Sequence, residues 1–218
     1  IHEQFRGLVN FLQARIGQDI EWVRLNDYAE ILQRFKADEI DLAYLGPLPY
    51  AILARDFPKA EVLGCFRDAD GQTDYTCALV SWGGSDTTPG TVTAARIGLT
   101  QPYSTCGYLA VSQMLEAAGR RIDGDGNRFS YAGSHSNAAL GVARGQYDVA
   151  GVKTAIAERY LHLDIKIIGT SQRYPGFALV ANRGTVDDAT FNALQSALLE
   201  LDSSADPDVA KRMRSWGK

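Results

Sequence analysis

Lysine is scarce in this chain, six against sixteen arginines, and histidine (three), cysteine (three) and methionine (two) are scarcer. His2, His135 and His162 lie far apart and no Cys-x-x-Cys occurs, so no structural metal site has its ligand spacing, and none is expected. No apolar run approaches the roughly 18 to 20 residues of a membrane-spanning helix. Positive charge is not in excess: 22 Lys+Arg against 26 Asp+Glu leave a net charge of −4, with the basic residues scattered. That balance argues against a nucleic-acid partner, which needs a basic stripe to follow the phosphates. A cationic and then apolar leader is not seen either, since Ile1-His2-Glu3 runs straight into a helical pattern; a cytoplasmic protein and a trimmed secreted one would look alike.

What is present is an ordinary globular composition, 45% hydrophobic and 22% charged over 218 residues. That length suits one large α/β domain or two lobes of roughly 100 residues. Phe5, Leu8, Val9, Leu12 and Ile16 recur at helical spacing. Glu21 to Leu25 alternates like a short strand, and Asp27 with Glu30 forms a capping-box pattern before Ile31, Leu32 and Phe35. Ile40–Leu45, Val62–Arg67, Tyr75–Trp82, Arg96–Leu99, Phe129–Tyr131, Tyr147–Val152, Ile165–Ile168 and Phe177–Ala181 read as further strands. Helices are expected between them, and near Asp187–Leu201 and Pro207–Arg214. The alternation implies βαβ units, hence mostly parallel sheets flanked by helices. Turn-rich Gly83 to Gly90 is the best inter-lobe crossing, which puts residues 1–82 plus 178–218 in lobe 1 and 83–177 in lobe 2. A doubly wound lobe normally opens on a strand, so a strand ahead of residue 1 is expected.

Three strand-to-helix turns carry chemistry. Gln101-Pro102-Tyr103-Ser104-Thr105-Cys106-Gly107 opens a helix, where unpaired amides and about half a positive charge favour an anion. Ser104 and Thr105 add hydroxyl donors, and Gly107 lets a ligand approach the backbone. Gly133-Ser134-His135-Ser136 has the same grammar, with His135 as a donor to an oxyanion. Gly46-Pro47-Leu48-Pro49 is a third such turn. Each read alone is an ordinary helix cap or surface loop; three together fit the rule that open α/β sheets bind ligands beyond the carboxyl ends of their strands. Of the tyrosines near these turns (Tyr44, Tyr50, Tyr75, Tyr103 and Tyr108), only Tyr103 is counted as a contact, because most buried tyrosines simply pack. No arginine falls at the turns, so an anion would depend on helix dipoles and hydroxyls.

In their order, Asp41-Leu42-Ala43-Tyr44-Leu45-Gly46-Pro47, Tyr103-Ser104-Thr105-Cys106-Gly107-Tyr108-Leu109, Gly133-Ser134-His135-Ser136-Asn137-Ala138-Ala139-Leu140, Val142 to Ala150 and Pro175-Gly176-Phe177 resemble one family. It is that of the phosphonate/phosphite/phosphate-binding periplasmic proteins, the two-lobed solute receptors of ABC transporters. The resemblance implies a hinged two-lobed fold of the type II periplasmic-binding-protein kind, a periplasmic location, a monomer, no cofactor and no catalysis. It also implies that the Ser-Thr-Ser-Gly turn and the histidine hold an oxyanion. Here the third residue of that turn is Cys106. The positions that resemble the family's ammonium-binding Glu and Asp hold Ala155 and Phe177, so an aminoalkylphosphonate is a poor ligand.

A thiol at a helix N-terminus has a lowered pKa and suits a thiophilic centre better than a hard phosphate. The family has an arsenite-binding branch that signals to a sensor histidine kinase regulating arsenite oxidation, and the sequence resembles it through Cys106. Arsenite bound by Cys106 is therefore the leading expectation, with a phosphorus-oxyanion receptor docking an ABC permease as the alternative. Cys65 and Cys77 flank the Asp70-Gly71 turn symmetrically and could be bridged, could join Cys106 in a three-sulfur site, or could stay reduced. A cysteine hydrolase using Cys106 and His135 is the enzyme reading; no third, orienting residue stands at a recognisable spacing.

Overall fold

The computed structural model describes residues 2–67 and 71–201. In chain order the first elements are α1 (His2–Ile16), α2 (Tyr28–Lys36), β1 (Leu42–Leu45), α3 (Pro47–Asp56) and β2 (Ala60–Cys65). Next come β3 (Asp74–Tyr75), β4 (Cys77–Trp82), β5 (Arg96–Leu99), a π-helical turn (Thr105–Leu109) continued by α4 (Ala110–Ala117), and β6 (Arg128–Tyr131). The rest are α5 (His135–Ala143), β7 (Val149–Lys153), α6 (Thr154–Tyr160), β8 (Ile165–Thr170), β9 (Tyr174–Pro175), β10 (Ala178–Asn182) and α7 (Asp188–Glu200).

Two compact units result, Ile1–Asp74 with Pro175–Lys218 and Tyr75–Tyr174. The crossings therefore fall at residues 74/75 and 174/175, within the paired two-residue strands β3 and β9. The expected crossing at 83–90 is corrected: that segment stays inside the second unit, where the Gly83 amide donates to the Asp164 carbonyl at 2.7 Å. Strand β4, expected in lobe 1, also belongs to the second unit because its partners are β7 and β8. Thr76 separates β3 from β4, its carbonyl accepting the Thr154 amide at 3.0 Å.

In the first unit β10 lies between β1 and β2 and is antiparallel to both. Its side chains alternate between two cores. Leu179 and Ala181 pack with Phe5, Leu8 and Leu12 of α1 and Phe191 and Leu194 of α7. Ala178 and Val180 pack with Leu32, Phe35, Leu45 and Leu53. Glu21 to Leu25 forms no strand; Trp22 and Val23 are 40% and 47% exposed, and the Trp22 ring lies 5.5 Å from that of Phe5. Alternation alone does not make a strand where no ladder partner is available. The expected helix at Pro207–Arg214 lies outside the described residues.

The second unit holds a five-stranded sheet in the order β6-β5-β7-β4-β8. β5 runs parallel to β6 and β7, and β4 runs antiparallel to β7 and β8, so β4 alone is reversed in a sheet otherwise of one direction. Both faces are covered, which is why β4 and β7 read as nearly continuous apolar runs. Leu79, Ile97, Leu99 and Val149 pack against Val111 and Leu115 of α4. Ala78, Val80, Ala150 and Val152 pack against Ala138, Ala139 and Val142 of α5.

Candidate functional site

The turn after β5 sits where the sequence places it. Ser104 caps the helix that follows, its Oγ accepting the Gly107 amide at 3.0 Å, and its carbonyl takes the Tyr108 and Leu109 amides. Ser104, Thr105 and Cys106 are all buried. The cap uses the acceptor side of the Ser104 hydroxyl, and the hydroxyl keeps a proton to donate. Ser134 repeats the arrangement on α5, accepting the Asn137 amide at 3.1 Å. The two turns are stitched together, the Gly133 amide donating to the Thr100 carbonyl at 2.8 Å and the Ala132 amide to that of Leu99 at 2.7 Å. Tyr103 is 41% exposed and has φ of 61°, a left-handed conformation that an aromatic residue rarely adopts.

His135 accepts the backbone N–H of Lys153 at Nδ1, 3.3 Å away. The neutral ring must then carry its proton on Nε2, making that nitrogen a donor. Burial, with the Lys153 charge adding to it, pushes its pKa down to about 4. The ring is neutral at physiological pH.

Gly107 is also required by packing, beyond the backbone approach expected of it. A Cβ there would lie 2.0 Å from Thr100 Oγ1 and 2.7 Å from the Thr100 backbone nitrogen, so the turn rests directly on the end of β5. Thr100 Oγ1 itself is buried with no hydrogen-bond partner among the described residues.

The cysteine assignments are corrected. Cys77 is bonded to Cys106, with Cα atoms 5.0 Å apart, and Cys65 is free and exposed. The Cys65–Cys77 bridge is not formed, because the Cys77 sulfur at the start of β4 is taken by Cys106 and Cys65, ending β2, stays free. Cys106 therefore offers no thiol for arsenic, and no nucleophile for a hydrolase, while the bond stands.

Seven of the expected residues thus gather in the second unit: Tyr103, Ser104, Thr105, Cys106, Gly107, Ser134 and His135. Pro47 lies in the first unit as the opening residue of α3, after Gly46. Sequence reasoning missed Lys153, which ends β7 in the same strand-to-helix grammar as the other turns. It also missed Tyr131, whose strand position pairs with Leu99. Tyr131, Tyr103 and Tyr108 are all near 40% exposed, and burial together with the Tyr108 and Tyr103 phenols raises the Tyr131 pKa. No group of three His, Cys, Asp or Glu that could hold a metal occurs among the described residues, and no described helix is long and apolar enough to cross a membrane.

The fold is that of the type II periplasmic binding proteins. It is similar to a methylphosphonate complex of PhnD1 from Prochlorococcus marinus, with TM-score 0.82, 18% identity, and 96% and 82% of the two chains covered. It is equally similar to a binding-protein component of an ABC phosphonate transporter from Pseudomonas aeruginosa, with TM-score 0.82, 23% identity, and 100% and 75% covered. The family described as "ABC transporter, phosphonate, periplasmic substrate-binding protein" matches residues 1–218, and the chain belongs to it. Among curated relatives, the phosphonates-binding periplasmic protein of Escherichia coli is 28% identical over 190 residues, 81% of this chain and 55% of that protein. The phosphate-import protein PhnD of Mycolicibacterium smegmatis is 27% identical over 150 residues, 65% of this chain and 47% of that protein. The chain spans about half the length of these curated relatives.

Proposed function

We propose that this chain binds a small tetrahedral phosphorus oxyanion, a phosphonate, phosphite or phosphate, as the periplasmic receptor of an ABC importer, delivering it to the permease without chemical turnover. The observation that carries the reading is the paired construction of the turns: two hydroxyl-capped helix N-termini joined through the Thr100 carbonyl, with a neutral histidine donor beside them. Ser104, Thr105 and Ser134 supply hydroxyl protons, His135 supplies Nε2–H, and Tyr103 lines the approach. Gly107 holds the turn against β5 and leaves its backbone open to the ligand, and Pro47 is tested separately by Pro47→Ala. Family membership supports the same ligand class and the permease partner.

Arsenite recognition with signalling to a sensor histidine kinase depended on a free Cys106 thiol. With that sulfur joined to Cys77, the phosphorus oxyanion takes first place. Thermal melting of the oxidised protein with methylphosphonate, phosphite, phosphate and arsenite tests the choice. A phosphorus ligand at about 100 times its Kd should add roughly 2.7 kcal/mol, a shift of about 5–10 °C. A shift with arsenite alone would reverse the order of the two readings.

A further inference from the structure

Lys153 stands at a place fixed by three separate contacts. It pairs with Cys77 in the β4–β7 register, and Cys77 is bonded to Cys106 inside the oxyanion turn. Its backbone N–H donates to His135 Nδ1 at 3.3 Å. Its Nζ lies 4.7 Å from the centre of the Tyr75 ring. Strand alternation supplies the direction. Gly151, two residues earlier and so on the same face, is pressed against the turn: a Cβ there would lie 2.7 Å from the Cys106 carbonyl oxygen and 3.5 Å from Gly107 Cα. Lys153 is the next residue on that face, at the carboxyl end of the strand, where α/β sheets hold their ligands.

The geometry points to Lys153 as the cation of the oxyanion site, and to a doubly charged tetrahedral anion as the ligand class. This inference rests on the oxyanion reading above. The charge balance supports it. Two helix N-termini contribute about half a positive charge each and the ammonium one more, so about two negative charges complete the site. The hydroxyls and the histidine donate hydrogen bonds without adding charge. A neutral oxyacid or a monoanion leaves that positive potential partly uncompensated. The Lys153 ammonium beside it also helps keep His135 in its neutral, Nε2-donating form.

Calorimetric titration of the oxidised protein with methylphosphonate, at a pH where it is largely a dianion, and with methanesulfonate, a monoanion of the same shape, tests the inference. The wild type is expected to prefer methylphosphonate by tenfold or more (order of magnitude). Lys153→Gln should weaken methylphosphonate by roughly 10- to 100-fold and methanesulfonate by less than about threefold, and Lys153→Arg should keep the preference. A Lys153→Gln protein that melts like the wild type and binds methylphosphonate as tightly overturns the inference. Should that variant fail to fold, salt dependence of the wild type decides: methylphosphonate affinity must fall more steeply with NaCl than methanesulfonate affinity, and equal falls overturn it. If the wild type binds neither anion, it is the oxyanion reading itself that fails.

Discussion

His135 makes stability depend on pH. Its folded pKa of about 4 lies below the unfolded value of 6.5, so between those values the unfolded chain binds a proton that the folded one refuses. Stability therefore rises with pH across that window, and falls by as much as about 3 kcal/mol on acidification from near pH 6.5 to pH 4. Chemical denaturation at a series of pH values checks this, and His135→Gln should flatten the curve above pH 4 (order of magnitude) while retaining a side-chain donor. Gly107 makes a second residue-scale case. A methyl group there meets the Thr100 backbone, which cannot swing aside, so Gly107→Ala should cost about 1–3 kcal/mol in a denaturant melt. An unchanged melt would mean that the turn does not rest on β5.

At the scale of elements, the Cys77–Cys106 bond staples the turn after β5 to the reversed strand β4 across a separation of 29 residues. Closing a loop of that size stabilises by about 2–4 kcal/mol, so Cys77→Ser/Cys106→Ser should melt lower by that amount. Native protein without reductant should titrate one thiol, that of exposed Cys65, and three after reduction and unfolding. Three native thiols would restore Cys106 as a thiol ligand. The pairing was not legible in the sequence because it depends on which unit receives β4, and the symmetric spacing of Cys65 and Cys77 about a turn suggested a hairpin that does not form. Local signals were legible. Asp27 caps α2 through the Glu30 amide, and both Ser104 and Ser134 cap the helices that their turns foretold. Glu30 departs in detail, its carboxylate reaching the Asn26 amide and not that of Asp27. Lys153 escaped notice because a lysine after an apolar strand reads as a solvated end; its contacts with His135 and the Tyr75 ring and its register opposite Cys77 are visible only in the structure.

For the whole molecule, family membership and the two-unit division agree with the order of motifs along the chain, whereas the unit boundaries follow strand pairing that composition does not reveal. The turn-rich segment at 83–90 drew the boundary eight or more residues too late because loops of that composition also decorate the surface of a single unit. The central claim is that the paired turns of the second unit hold a phosphorus oxyanion. Its most direct test is calorimetric titration of methylphosphonate into the oxidised full chain, beside Ser104→Ala and His135→Phe. Saturable one-to-one binding by the wild type, weakened about tenfold or more in each variant, is the result predicted. Binding that both variants leave unchanged, or no heat with methylphosphonate, phosphite or phosphate, would contradict it.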